Sequence, residues 1–259
     1  MYKKLILLAL CSTHALTAKP MLIVTQPKSG TTYINAAMTN YFGYNYFSSR
    51  NILRPNKAML IQASDFARAA KHFAHADAPI VDHFQITDSV LKEIIKQKCK
   101  VVFVPRDPRS AIVSKIIHEV VLDGAHGWQD DLNIHKEIEQ KRKAILDQVN
   151  RRLVQEVHQR VKDLNIWKER KERHPNTVYI VNFELLKSDR PNFFYKIVEP
   201  FGYNKNNFDP AKVLGPKWGK NRVRGSNPDE WRDFVSKELL AEVNLLLPDE
   251  LMKFYGWKR

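Results

Sequence analysis

The chain has 259 residues, 44% of them hydrophobic and 27% charged, a balance that fills one globular core and excludes a disordered tail, a collagen-like repeat or a solenoid. A formal net charge of +14, from 42 Lys and Arg against 28 Asp and Glu, favours anionic partners such as nucleotides, sulfated sugars or anionic lipid without choosing between them. The two cysteines, Cys11 and Cys99, form no CxxC pair, which argues against a structural zinc site and a disulfide framework, and the absence of familiar recognition motifs argues against a specific nucleic-acid role.

At the N-terminus, Lys3 and Lys4 precede the apolar run Leu5 to Leu10, and Leu16-Thr17-Ala18 has the form of a cleavage site. Two readings stay open for residues 1–20: a short secretory signal, or an N-terminal extension with Met21 as the true start. The first makes the protein exported or lumenal, the second cytoplasmic. The run is too short to span a bilayer, so no transmembrane segment is expected.

Met21-Leu22-Ile23-Val24-Thr25 is a continuous apolar run closed by Pro27 and Gly30, the pattern of a strand buried on both faces of a parallel sheet. A helix is expected from about Thr31 to Asn40, then an aromatic loop from Tyr41 to Phe47. Ser64 to His75 reads as a helix, Pro79 to His83 as a short extended segment, and Thr87 or Asp88 as the cap of a helix reaching about Lys98. Val101-Val102-Phe103-Val104 is a second buried strand, with a helix opening at Pro108.

From about Asp130 to Arg173 the chain is polar and helical. Ile138, Ile145, Val149, Leu153, Val157, Val161 and Leu164 make one apolar stripe along a long helix or a pair of helices. Thr177 to Val181 is a third buried strand, and helices follow near Pro191 to Pro200 and Pro228 to Leu247. Strands alternating with helices imply a single α/β domain over residues 21–259, a mostly parallel central sheet flanked by helices.

The loop Gln26-Pro27-Lys28-Ser29-Gly30-Thr31-Thr32 joins a strand to a helix. Gly30 permits a tight turn and a close approach of backbone to a ligand, and the N–H groups at the helix start can face a phosphate. Lys28 adds charge, and Thr31 and Thr32 add hydroxyls. It is not the GxxxxGK[ST] loop of a nucleoside triphosphatase, because the leading glycine is missing and the lysine precedes Gly30. A nucleotide kinase is therefore disfavoured. The composition by itself also fits a purely structural turn.

Pro27-Lys28-Ser29-Gly30-Thr31-Thr32-Tyr33 resembles the 5'-phosphosulfate loop, usually written PKSGTTW, of sulfotransferases that use 3'-phosphoadenosine-5'-phosphosulfate (PAPS). Tyr33 stands where that family has a tryptophan that packs on adenine. The resemblance implies a P-loop-like sulfotransferase fold, PAPS as co-substrate with PAP as product, and a mechanism that needs no metal. Val101 to Ser114 resembles the family's 3'-phosphate segment, which carries the phosphate role over to Arg106 and Ser114. A guanidinium fork suits phosphate oxygens. Ser114 lies about two turns along the helix on a similar side, whereas Arg109 reads as a surface or helix-start residue.

Arg222-Val223-Arg224-Gly225, followed by Trp231, resembles the family's RKG…W clamp on the same phosphate. Phe183-Glu184-Leu185-Leu186 resembles its YEDL-like turn, with the Phe183 ring available to adenine. His83 occupies the place of a histidine in the family's KTH-like segment, which implies that it is the general base, with Lys28 clamping charge on the transferring sulfonate. Asp82 stands where a lysine is common, and Ser29 is implied to hold Lys28 away from the donor.

The resemblance implies a hydroxyl or amine acceptor, on a small molecule or a glycan. Tyr41, Phe42, Tyr44, Tyr46, Phe47 and Phe84 either line its pocket or pack against the sheet edge. Charge between Lys136 and Arg173 is either solvated helical surface or a glycan site. The alternative to an enzyme is a degenerate, non-catalytic protein that binds a nucleotide or polyanion, retaining PAP without turnover.

Overall fold

The structure, a computed structural model, describes residues 21–43, 62–67, 79–83, 85–122, 134–214 and 229–259. Among them a parallel sheet of four strands runs in the order β2-β1-β3-β4, with β1 Met21–Thr25, β2 Pro79–Asp82, β3 Lys100–Val104 and β4 Val178–Ile180. The register pairs Met21 with Pro79 on one side and with Lys100 on the other, and Val101 with Val178. Every residue of β1 and β2 is buried. That burial on both faces explains the unbroken apolar runs.

Side-chain alternation along the strands divides the core between the two faces. Leu22, Val24, Val101 and Phe103 face one apolar layer, and Ile23, Val81, Val102 and Val104 the other. The first layer is closed by α3 (Pro108–Leu122) and α5 (Arg142–Arg173). The stripe Ile145, Val149, Leu153, Val157, Val161 and Leu164 is buried along α5, and Trp167 stacks on Phe103 at 4.3 Å. The second layer is closed by α1 (Thr31–Phe42) and α7 (Arg190–Val198), with the short helices α6 (Glu184–Ser188) and α8 (Pro210–Leu214) contributing Leu186 and Val213.

The polar helical region is a pair, α4 (Ile134–Gln140) and α5, broken at Lys141. The Lys141 ammonium donates to the carbonyls of Val120 and Val121 at 3.2 Å, which satisfies acceptors at the end of α3. Thr87 caps α2 (Asp88–Lys96) by accepting from the Val90 N–H at 3.3 Å. That helix stops short of Lys98, which takes a positive φ of 52° and leads directly into β3.

Other boundaries move for identifiable reasons. Tyr41 and Phe42 belong to α1 rather than to a loop. Gly43, at φ 67°, ends that helix by donating to the Thr39 carbonyl, as an αL glycine cap does. Tyr41 stacks on Phe208 at 5.4 Å, and Phe42 meets Tyr203 edge-on, so these two rings pack within the fold. Tyr44, Tyr46, Phe47 and Phe84, residues 68–75 of the expected second helix, and segment 1–20 lie outside the described residues.

The helix expected over Pro228 to Leu247 is instead a 3-10 turn, Glu230–Phe234, followed by α9 (Lys237–Leu245). Val235 is extended between them, and Ser236 starts the new helix by accepting from the Leu239 N–H. The chain closes with α10, Asp249–Tyr255. Among the described residues, no helix is long and apolar enough to cross a membrane.

Candidate active site

Three loops converge at the carboxyl ends of β1, β2 and β3, the place where open parallel sheets bind ligands. In the first, the Ser29 N–H donates to the Gln26 carbonyl at 3.0 Å, and both Lys28 and Gly30 lie in the left-handed region, at φ 70° and 71°. α1 begins directly after Gly30 with no side-chain cap. Its first-turn N–H groups, with Thr31 and Thr32 on the same turn, therefore face the space beyond the strand ends.

Lys28 pays a conformational cost of about 1–2 kcal/mol for its left-handed backbone. Arg106 offsets it by donating to the Lys28 carbonyl at 2.6 Å. Ser29 is fully buried beneath the loop.

Gly30 is required twice over. Besides its positive φ, an added Cβ would lie 2.9 Å from Phe183 Cε2 and 3.4 Å from Leu186 Cδ2. Gly30→Ala is therefore expected to lower stability by about 1–3 kcal/mol and to displace the Phe183 ring, measured by urea unfolding beside wild type.

The second loop follows β3. The Arg106 N–H donates to Gln26 Oε1 at 3.1 Å, and its guanidinium donates to Ser110 Oγ at 2.7 and 3.1 Å. The same guanidinium lies 4.8 Å over the Phe183 ring, a cation–π contact. Arg106 thus ties both loops to a buried floor, and Phe183 forms that floor, 8% exposed. Ser114 is half-buried one turn beyond Ser110 on α3.

Tyr33 is half-buried on α1, its ring 5.9 Å from Phe194, with the Arg190 guanidinium over it at 5.4 Å. Arg222, Arg224 and Gly225 lie outside the described residues.

Arg109 lies in the first turn of α3, as one of the two sequence readings had it, but it is not a surface residue. It is fully buried, with Nε and Nη2 on the Asp107 carboxylate at 3.0 and 2.6 Å. It also donates to Asn244 Oδ1 at 2.6 Å and to the Lys258 carbonyl at 2.5 Å, and lies 5.2 Å from the Trp231 ring. Glu184 completes this buried group, accepting from the Asp107 N–H at 2.9 Å and from Trp257 Nε1 at 3.2 Å. Burial pushes its acid above the ordinary glutamate range, against those two hydrogen bonds.

The third loop carries His83. Its Nδ1 lies 2.9 Å from the Thr25 carbonyl and 3.1 Å from Thr25 Oγ1, and its Nε2 lies 3.2 Å from Thr31 Oγ1. The Asp82 carboxylate is buried and accepts the His83 backbone N–H at 2.7 Å. The structure thus brings His83, Thr31, Lys28, Gly30, Phe183 and Arg106 into one region.

Sequence reasoning passed over Thr25, Gln26, Ser110 and Glu184. The available signals were a hydroxyl ending an apolar strand and a serine one turn before Ser114. Among the described residues no group of three His, Cys, Asp or Glu side chains could hold a metal ion.

The sequence profile of the sulfotransferase domain matches residues 18–212. No curated protein matches the chain. Among solved structures, a mouse sulfotransferase complexed with PAP superposes with a TM-score of 0.51 at 14% identity, covering 91% of this chain and 84% of that one, a likeness of fold. Retinol dehydratase, solved with androsterone and inactive cofactor PAP, gives 0.46 at 12% identity over 94% and 83% of the two chains.

Proposed function

This chain belongs to the sulfotransferase family, and on that premise we propose that it transfers a sulfuryl group from PAPS to a hydroxyl or amine acceptor by in-line displacement, with His83 as general base. The observation that carries this reading is the joining of two anion-suited loops by one arginine. The Arg106 guanidinium donates to the Lys28 carbonyl while its own backbone N–H donates to Gln26 Oε1, beside the uncapped start of α1. A nucleotide with phosphates at both ends suits such a pair.

In this reading Ser29, Gly30, Thr31 and Thr32 hold the 5'-phosphosulfate. Arg106 and Ser114, with Arg222, Arg224 and Gly225, hold the 3'-phosphate. Tyr33 and Phe183 serve the adenine. The acceptor oxygen or nitrogen attacks sulfur and gives its proton to His83 Nε2. The bond from sulfur to the bridging oxygen breaks, and PAP leaves with that electron pair. Lys28 meets the charge that grows on the sulfonate and the bridging oxygen, where a fixed cation stabilises the transition state more than the ground state.

Calorimetric titration of the chain from Met21 with PAP tests the donor site. Tight binding that Arg106→Ala weakens by about 100-fold or more, with AMP bound weakly by both proteins, is the expected result. No heat from a folded protein would remove the PAPS reading. A screen with labelled PAPS then finds the acceptor, and PAP binding with no transfer to any acceptor would favour the non-catalytic alternative.

A further inference from the structure

Gln26 has all but one of its polar groups in use, and the contacts tie the two anion-suited loops together. Its backbone N–H donates to the Val104 carbonyl at 3.2 Å, and its own carbonyl accepts the Ser29 N–H at 3.0 Å. Its Oε1 accepts the Arg106 N–H at 3.1 Å. A backbone N–H only donates, so the carboxamide cannot be turned the other way. The remaining group, Nε2, is buried and has no hydrogen-bond partner among the described residues, on a residue 5% exposed.

These contacts close a ring. The chain runs from Gln26 to Lys28, the Arg106 guanidinium donates to the Lys28 carbonyl at 2.6 Å, and the Arg106 N–H returns to Gln26. Ser110 Oγ holds the guanidinium from α3 at 2.7 and 3.1 Å. The backbone of Arg106 is thus set against the loop that leads into α1. A buried amide donor without a partner is unfavourable. Methionine, nearly the same shape, would remove that donor but leave the Arg106 N–H without its acceptor, so the two side chains come out close to even in stability. What the glutamine adds is the acceptor that sets where Arg106 stands. Resting on the donor reading above, we propose that Gln26 is a positioning residue that determines specificity, a ruler fixing the separation between the 5'-phosphosulfate and 3'-phosphate sites. A rigid pair of sites selects a ligand by the spacing of its phosphates. The isomer with its second phosphate on the ribose 2'-oxygen has the base and charge of PAP and differs in where that phosphate sits.

The test is calorimetric titration of the full chain with PAP and with adenosine 2',5'-bisphosphate, for wild type, Gln26→Met and Gln26→Glu, beside urea unfolding of each. Wild type should prefer PAP by at least about tenfold. Gln26→Met should lose about tenfold in PAP affinity, the scale of one hydrogen bond, and change its affinity for the 2',5' isomer by less than about twofold, with a urea midpoint close to wild type. Gln26→Glu keeps the acceptor and adds a negative charge near the phosphates, so it should weaken both ligands and retain the wild-type ratio.

Equal losses for the two ligands in Gln26→Met, an unchanged PAP affinity in that variant, or a wild type that binds both isomers alike would each overturn the ruler while leaving the donor site standing. So would a Gln26→Met that fails to fold, which makes the residue structural, or a Gln26→Glu that loses the ratio. Absence of PAP heat from folded wild type would overturn the donor reading, and the ruler with it.

Discussion

His83→Ala should slow sulfuryl transfer by about 10²–10⁴-fold, the range a positioned general base supplies, with PAP affinity nearly unchanged. The expectation rests on geometry. The Thr25 carbonyl places the ring hydrogen on Nδ1, so Nε2 is the nitrogen able to take a proton, and it lies 3.2 Å from Thr31 at the start of α1. The loss should fall on kcat rather than KM for donor, because the contact matters as the acceptor proton leaves. A base works only when unprotonated, so the rate should rise with pH through the histidine titration, and that acid limb should vanish in the variant. Steady-state rates across pH, with an acceptor found by the labelled-PAPS screen, read both outcomes. A variant as fast as wild type would take His83 out of the mechanism.

Arg109→Met should destabilise the fold by about 3–5 kcal/mol, the cost of stripping one partner from a buried ion pair. The buried guanidinium holds Asp107 at 2.6 Å and also serves Asn244 and Lys258. Without it, Asp107 is left beside Glu184 with no cation. Urea unfolding measures the change, and a loss below about 1 kcal/mol would refute the role.

The pH dependence has a definite sign. Glu184 keeps its proton in the fold to higher pH than in the unfolded chain, because burial penalises its charged form. Above the ordinary glutamate value of about 4.3 the folded state therefore binds more protons, and the stability contributed by Glu184 falls as pH rises toward its folded-state value. Glu184→Gln places an amide donor against one of two existing donors, Asp107 N–H or Trp257 Nε1. It should cost about 1–3 kcal/mol at low pH, with a gap to wild type that narrows as pH rises.

What could be read from the sequence divides along a physical line. β1 and β3 were legible because burial on both faces demands unbroken apolar runs, and the α5 stripe because one buried face imposes helical periodicity. A cap at Thr87 or Asp88 was legible because a capping side chain bonds only three residues ahead, and the structure places it on Thr87 with Val90. That Lys28 to Thr32 and Arg106 lie in turns leading from a strand to a helix was legible because each follows a buried apolar run in the sequence.

Arg109 was read correctly as a helix-start residue, but its burial was not legible because its nearest partner, Asp107, sits in a polar RDPR string that looks solvated. The residues that enclose it, Trp231, Asn244 and Lys258, come from the far end of the chain. The contacts that bring Thr25 and Thr31 to His83 were invisible for the same reason. They depend on β1 and β2 lying side by side, and no spacing along the chain encodes that. Gln26 reads as an ordinary turn residue until β3 brings the Arg106 N–H to its side chain.

The span between Arg109 and its partners also bears on how the protein is made. During synthesis β1, β2 and β3 emerge long before residues 244–258. Until the ribosome has delivered Asn244 and Lys258, the Arg109 cation lacks two of the acceptors that make its burial tolerable, and the turn carrying Arg106 is held only by its earlier partners such as Gln26 and Glu184. The nascent domain can collapse on its sheet early, but its nucleotide end is completed last. A stalled or truncated chain lacking α9 and α10 would present a formed sheet with an unfinished and sticky binding face, a natural target for chaperones.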